Sequence, residues 1–258
     1  MRVGIADPVR ALYGALLKRR LRTVALPAHV AVIMDGNRRW AREHGHPNPS
    51  VGHRFGAEHV EHLLAWCAEV GIGHVTVWVA SKDNLAKRPG PEVAFLMEVA
   101  EDVIASRLAT AGGSWQLHLA GDLDLLPGST SRALKAAREA TLSRPTRHHL
   151  TVAIGYDGRS EIVDAVRSAL VDAAAAGTSA AELATRFDED DVSAHLYNPG
   201  LPEPDLIIRT SGEQRLSDFM LWQGVESQLW FADVYWPAFR RVDFLRALRS
   251  FAARDAGA

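Results

Sequence analysis

Ile33-Met34-Asp35-Gly36-Asn37-Arg38-Arg39-Trp40-Ala41 is where an apolar run of the chain gives way to a charged one. Residues 30–34 (Val-Ala-Val-Ile-Met) are apolar and β-prone, the pattern of a strand buried on both faces. Residues 38–44 have helical character and Gly45 closes them. Asp35-Gly36-Asn37 therefore falls at a strand-to-helix turn, the place where open α/β sheets bind ligands. A helix start offers free backbone N–H groups and a positive dipole end, both suited to phosphate. The two arginines add anion affinity, and the Asp35 carboxylate is a hard oxygen ligand for Mg²⁺ on a diphosphate. The same residues also suit an Asp/Asn helix cap beside a basic surface turn, and this stretch alone does not separate the two readings.

The rest of the chain repeats the pattern. Residues 74–80 read as a second buried strand, running into Ser81, Asn84, Lys87 and Arg88. Residues 204–208 read as another, delivering Arg209, Thr210, Ser211, Gly212, Arg215 and Ser217. Guanidinium, hydroxyl and free amide together form a phosphate clamp in residue type. Further strands are expected at 115–120, 150–154 and 229–236. Helices are expected at 53–70, 91–107, 129–142, 160–176 and 242–253, the fourth with Ile162, Val163, Val166 and Leu170 inward. His53 and Arg54 open the first of these, where an anion could dock. Strands alternating with helices predict an α/β fold in one domain, with about six mainly parallel strands surrounded by helices. Residues 1–26 form a separate lead-in. Its helix at 8–22 carries Leu12, Tyr13, Leu16 and Leu17 on one face and ends in Lys18, Arg19, Arg20 and Arg22. Docking on the domain is the favoured reading, with peripheral contact to an anionic membrane as the other.

Composition narrows the function. Across 258 residues the net charge is −2, which argues against nucleic-acid binding. The single Cys67 excludes an internal disulfide and suggests a reducing compartment. No signal-peptide pattern opens the chain and no apolar run spans a bilayer, so a cytoplasmic protein is expected. His59-Val60-Glu61-His62 lacks zincin spacing. The absence of G-x-G-x-x-G after a strand, of Walker A and of G-x-S-x-G weakens dinucleotide, P-loop and α/β-hydrolase readings.

Asp35-Gly-Asn-Arg-Arg-Trp-Ala41, Gly52-His53, Ser81…Asn84, Gly155-Tyr156…Gly158-Arg159, Asp205…Arg209-Thr-Ser-Gly-Glu-Gln-Arg215-Leu-Ser217, Leu221-Trp222-Gln223 and Trp236-Pro237 occur in that order. Taken together over residues 27–254, they resemble the cis-prenyltransferases, the undecaprenyl diphosphate synthase family. The resemblance implies a homodimeric enzyme that extends an allylic diphosphate with isopentenyl diphosphate, using Mg²⁺ and forming a Z double bond. It assigns Asp35 to the metal. Gly36, Asn37, Arg38 and Arg39 fall to the allylic diphosphate, Trp40 is a further substrate contact, and His53 is a diphosphate contact or a proton relay. Arg209, Arg215 and Ser217 fall to isopentenyl diphosphate. Asn84, with Ser81 and Asp35, belongs around the reacting carbon and the departing proton.

Several positions depart from the family pattern. Arg38 stands where Gly is common, and Leu85 where an aromatic is usual. The next family arginine is met by Lys87 or, with an insertion, by Arg88. Gln228 stands where a metal-assisting glutamate is usual, with Glu226 two residues earlier, and the tail after Ala252 is short. Trp78 and Val79 are expected to plug the product tunnel early, giving a short Z-prenyl product of farnesyl class or a little longer. Medium- or long-chain synthesis and a non-catalytic partner subunit are the alternatives.

Overall fold

The computed structural model describes residue 14 and residues 17–21, 23–108, 114–145 and 147–255. Six strands form one parallel sheet: β1 (His29–Ile33), β2 (His74–Ala80), β3 (Trp115–Ala120), β4 (His148–Ile154), β5 (Leu206–Arg209) and β6 (Gln228–Phe231). Their order across the sheet is β3-β4-β2-β1-β5-β6. The chain leaves β1 toward β2 on one side and returns to β5 on the other. The connections after β1 and β5 therefore diverge, and a crevice opens above their C-terminal ends. Asp35 and Arg209 stand on either side of it.

The helices are α1 (Asn37–Glu43), α2 (Val51–Val70), α3 (Lys82–Lys87), α4 (Gly90–Val99), α5 (Gly128–Leu142), α6 (Gly158–Ala175), α7 (Ala180–Arg186), α8 (Glu189–Ser193) and α9 (Arg241–Asp255). Beyond Val99 the α4 helix widens into a π-helix, Ala100–Leu108. One face of the sheet packs Val30, Val32, Val75 and Val77 against Leu63, Leu64 and Cys67 of α2, with Phe244 and Leu248 of α9 in the same core. The other face is built from small residues, Ala31, Ala120 and Ala153, under Tyr156, Phe219 and Met220.

Several boundaries differ from the sequence expectation. The sixth strand ends at Phe231 rather than Trp236. Residues 82–87, expected as a charged loop, form α3, because Ser81 caps it by accepting from the Asn84 N–H. Helix α6 buries Glu161, Ala165, Ala169 and Ala173. Val163 and Leu170 are about half exposed instead. Small alanines let α6 approach its neighbours; Val166 packs beside Ala165 as expected, while Val163 and Leu170 point outward. The lead-in helix falls largely outside the described residues, with Leu12, Tyr13, Leu16 and Arg22 among those not described. Of the part described, Leu17 and Leu21 are buried in the core, and Lys18 pairs with Glu69 of α2. Among the described residues, no helix is long and apolar enough to cross a membrane.

Candidate active site

The Asp35 turn is held by backbone and hydroxyl contacts from β5 and the segment after β6. Its N–H donates to Thr210 Oγ1 at 3.0 Å, and its carbonyl accepts from Thr210 Oγ1 at 2.7 Å and from the Trp236 N–H at 3.0 Å. Gly36 sits at φ +100°, and a Cβ there would lie 2.6 Å from the Tyr235 ring. Conformation and space both demand glycine. Gly52 opens α2 against α1, where a Cβ would meet the Asn37 carbonyl oxygen at 2.1 Å. That close approach sets Asn37 and His53 beside one another at the mouth of the crevice.

The Asp35 carboxylate is the hub. Oδ2 accepts from Arg209 Nη2 at 3.0 Å, and Oδ1 accepts from the Gly36 N–H at 2.7 Å and from Arg39 Nη2 at 3.4 Å. Burial pushes its pKa up, but the hydrogen bond and charge of Arg209, with Ser211 and Arg39, hold it below the usual carboxylate value. Asp35 is thus ionised at neutral pH.

On one side, Arg209 is 4% exposed. Its Nη1 donates to the Arg215 carbonyl at 2.5 Å and to Ser217 Oγ at 2.8 Å, while Arg215 Nε donates to the same hydroxyl at 3.0 Å. Ser211, Ser217, Asp218 and Met220 all adopt positive φ in this loop. Non-glycine residues held there are strained, a condition that collects at functional sites. Arg209, Arg215 and Ser217, with Asp35, Ser81, Asn84, Arg88, Asp157 and Asp218, line a polar cleft of about 560 Å³.

On the other side, Arg38, Arg39, Arg42, His53 and Arg88 with Asn37 line a second cavity of about 320 Å³, and Asp35 borders both. Arg88 Nη2 donates to Asn84 Oδ1 at 2.8 Å, and Asn84 N–H donates to Ser81 Oγ at 2.9 Å. The sequence-predicted Ser81, Asn84 and Arg88 thus form one hydrogen-bonded chain. His53 is held neutral: burial and the Arg88 charge bring its pKa down to about 4, against the upward pull of Glu92. A third, apolar cavity of about 40 Å³ begins at Asn37 and His53 and runs between Val60, Val77, Val79, Leu96, Val99, Ala100 and Ile104.

Four predicted site residues stand elsewhere. Lys87 turns away to pair with Asp83 at 2.5 Å and is 74% exposed, so Arg88 supplies the cation in the cleft. The Trp40 ring stacks on His44 at 4.4 Å and packs at a tilt against Phe55 at 4.9 Å, on the outer side of α1, because it follows Arg39 around the helix. Trp78 borders both the apolar cavity and the polar cleft, but its ring turns away to stack on Phe219 at 5.2 Å and to donate to the Tyr156 carbonyl at 3.1 Å, while the Val79 side chain packs with the core that flanks the cavity. Gln228 pairs in register with Leu206, while Arg209 pairs with Phe231. Three residues of strand, roughly 10 Å, keep Gln228 at the other edge of the sheet.

Sequence reasoning also missed residues. Arg42 follows Arg38 by four, a spacing that shares one face of α1, whereas Glu92 meets Arg88 from the first turn of the next helix. Thr210 was read as one more hydroxyl, but its contacts hold the Asp35 turn in place.

The model of the undecaprenyl diphosphate synthase family matches residues 33–257. The chain is 55% identical over 251 residues to an isoprenyl transferase of Streptomyces fradiae, covering 97% of each. It is 51% identical over 248 residues to a (2Z,6E)-farnesyl diphosphate synthase of Thermobifida fusca, covering 96% of each. Among solved structures, lavandulyl diphosphate synthase from Lavandula x intermedia, in complex with dimethylallyl diphosphate, superposes with a TM-score of 0.81 at 33% identity, over 89% of this chain and 96% of that one. A polar cleft of mixed charge and a cationic cavity, sharing the Asp35 carboxylate, are thus set in a chain that, by sequence along nearly its whole length, belongs to the undecaprenyl diphosphate synthase family of prenyltransferases.

Proposed function

We propose that this protein condenses isopentenyl diphosphate with an allylic diphosphate to give a Z-configured, short-chain prenyl diphosphate of farnesyl class. One observation carries the reading: a polar cleft holding Arg88, Arg209 and Arg215 meets a cationic cavity at Asp35, and an apolar cavity begins at His53, which lines all three. That is the shape of two diphosphate headgroups and one hydrocarbon tail. The names of the Thermobifida fusca synthase and of a short-chain Z-isoprenyl diphosphate synthase of Mycobacterium bovis, 45% identical over 252 residues, support the farnesyl class.

In this reading Arg38, Arg39, Arg42, Arg88 and neutral His53 hold the allylic diphosphate, with Asn37 and the Gly36 turn beneath it. Charge builds on that diphosphate as the allylic C–O bond breaks, and fixed guanidinium groups stabilise it without reorganising. Arg209, Arg215 and Ser217 hold isopentenyl diphosphate, whose double bond attacks the allylic carbon. Asn84, fixed by Arg88 and Ser81, faces the cleft beside the carbon that must lose a proton. Asp35 would hold Mg²⁺, which when bound supplies further neutralisation of the leaving diphosphate. The residues fit that ion: Asp35 is ionised, one-third exposed and oxygen-only, and Mg²⁺ takes one or two carboxylates with substrate phosphates and water completing its shell. Among the described residues there is no cluster of three or more His, Cys, Asp or Glu to form an all-protein cage. A homodimer and a cytoplasmic location belong to the same proposal.

The test is direct. Purified protein is incubated with Mg²⁺, labelled isopentenyl diphosphate and dimethylallyl, geranyl or farnesyl diphosphate, and products are sized and their geometry assigned. A Z product of about fifteen carbons from geranyl diphosphate is expected. Product from dimethylallyl diphosphate alone would point instead to joining of two allylic units. No product from any primer, with Asp35→Ala behaving identically, would overturn the reading.

A further inference from the structure

Glu92 is a carboxylate packed behind Arg38, His53 and Arg88, three groups that line a cavity read here as taking an anion. It lies in the first turn of α4 and is 8% exposed. Groups from three separate places converge on it. Arg38 Nη1 of α1 is 3.6 Å from Oε2. His53 Nε2 of α2 is 3.3 Å from Oε1, and Arg88 Nη1, ahead of α4, is 3.5 Å from the same oxygen. Arg88 in turn holds Asn84.

By Coulomb's law alone, an anion here should weaken diphosphate binding. Its geometry gives it a different use. Arg38 and Arg88 repel each other, and each could swing away on a long, flexible side chain. A single buried carboxylate between them fixes both and engages His53 as well. Its contact with Arg38 is the longest of the three, and Arg38 is the most exposed of the three partners, with 43% of its side chain open. We propose that Glu92 is the positioning residue of the allylic site: it presets Arg38, His53 and Arg88, and yields Arg38 to the incoming diphosphate. The inference rests on the reading that this cavity takes the allylic diphosphate. Preorganised donors bind without the entropy cost of being gathered, so removal of the organiser should appear as weaker primer binding.

The variants are Glu92→Gln and Glu92→Asp, each alone, and Glu92→Gln combined with Arg38→Gln. The readouts are calorimetric binding of unreactive geranyl thiodiphosphate, KM for geranyl and isopentenyl diphosphates, and the melting temperature. In Glu92→Gln, binding of the thiodiphosphate and KM for geranyl diphosphate should worsen about tenfold, the scale of one hydrogen bond to a charged group. KM for isopentenyl diphosphate should stay within about twofold, and Glu92→Asp should recover most of the loss. In the Arg38→Gln background the effect of Glu92→Gln should shrink, since both act through one contact. Equal rises in both KM values, an unmoved geranyl KM, or full additivity with Arg38→Gln would overturn the inference. If Glu92→Gln fails to fold, Glu92→Asp decides: a rise of about two- to threefold in geranyl KM alone supports the inference, and an unmoved geranyl KM or equal rises in both KM values overturn it. Wild-type protein that binds no geranyl thiodiphosphate would bring down the underlying reading and this inference with it. Wild-type binding with an unmoved variant brings down this inference alone.

Discussion

The two edges of the same sheet carry polar residues in quite different ways. At the C-terminal edge, Asp35, Arg209 and Arg88 are paired across elements yet still line open cavities. At the N-terminal edge, His29, His74 and His149 sit side by side in register on β1, β2 and β4. His74 and His149 stack at 4.6 Å, His118 Nε2 lies 3.0 Å from His149 Nδ1, and His29 is tied to Thr76 Oγ1 at 2.9 Å and to the Pro202 carbonyl at 2.7 Å. All four are held below the ordinary histidine pKa, by burial above all, His74 and His118 to about 4. One edge keeps charge and space; the other gives up charge to close. Ionisable residue type alone therefore does not mark a site. What marks it is charge that is retained beside a cavity.

The largest expected effect is at the charged edge. Asp35→Asn keeps an acceptor for Arg209 but removes the negative charge, and kcat should fall about 10³-fold. Asp35→Ala also leaves Arg209 without its anion. A loss of about 2 kcal/mol of stability is expected on top, measured by urea unfolding. A kcat for Asp35→Asn within tenfold of wild type would erase the contrast between the edges.

The next effect separates two adjacent residues of β2. Trp78→Ala should cost roughly 3 kcal/mol of stability, because the ring fills the Phe219 face, and leave product length unchanged. Val79→Ala should cost less and lengthen the product by at least one isoprene unit, read from a labelled product ladder. An unchanged ladder for Val79→Ala, or a longer one for Trp78→Ala, would reverse the assignment of the two faces.

The smallest effect is at the histidine edge. Unfolded histidines titrate near 6.5 and these titrate lower when folded, so the unfolded chain binds more protons between pH 6.5 and about 4. Stability should be full above pH 6.5 and fall through that window. His74→Phe keeps a ring in the stack and removes one titrating group. Its melting temperature should drop less than that of wild type between pH 7 and 5, by roughly 2–4 °C. Identical pH slopes would show that the row does not control the acid limb.

Much of the charged edge was legible in sequence because strand ends are local. An apolar run followed by Asp35 or Arg209 states both the strand and what it delivers. Side-chain direction was less legible. Lys87 and Arg88 are neighbours, and only the Ser81 cap, which starts α3 in one register, aims Arg88 rather than Lys87 into the cleft. Trp78 and Val79 alternate across a strand, so naming both as one plug overlooked period two. The inward face of α6 was misread because aliphatic size was taken for burial, whereas alanine packs there. Glu92 stayed hidden because its three partners come from three segments, and its meaning exists only once they fold together.

The 40 Å³ of the apolar cavity has a consequence for how length would be measured. That space has room for a few water molecules at most, far short of a fifteen-carbon chain. A growing tail must part close-packed side chains as it advances. Each methylene buried returns about 0.8 kcal/mol, while each residue displaced surrenders its own contacts. Elongation would then stop not at a wall but at a crossing of two slopes, like a wedge driven into grained wood. Small changes in how tightly Val79, Leu96 and Ile104 grip one another would move that crossing, and the product with it.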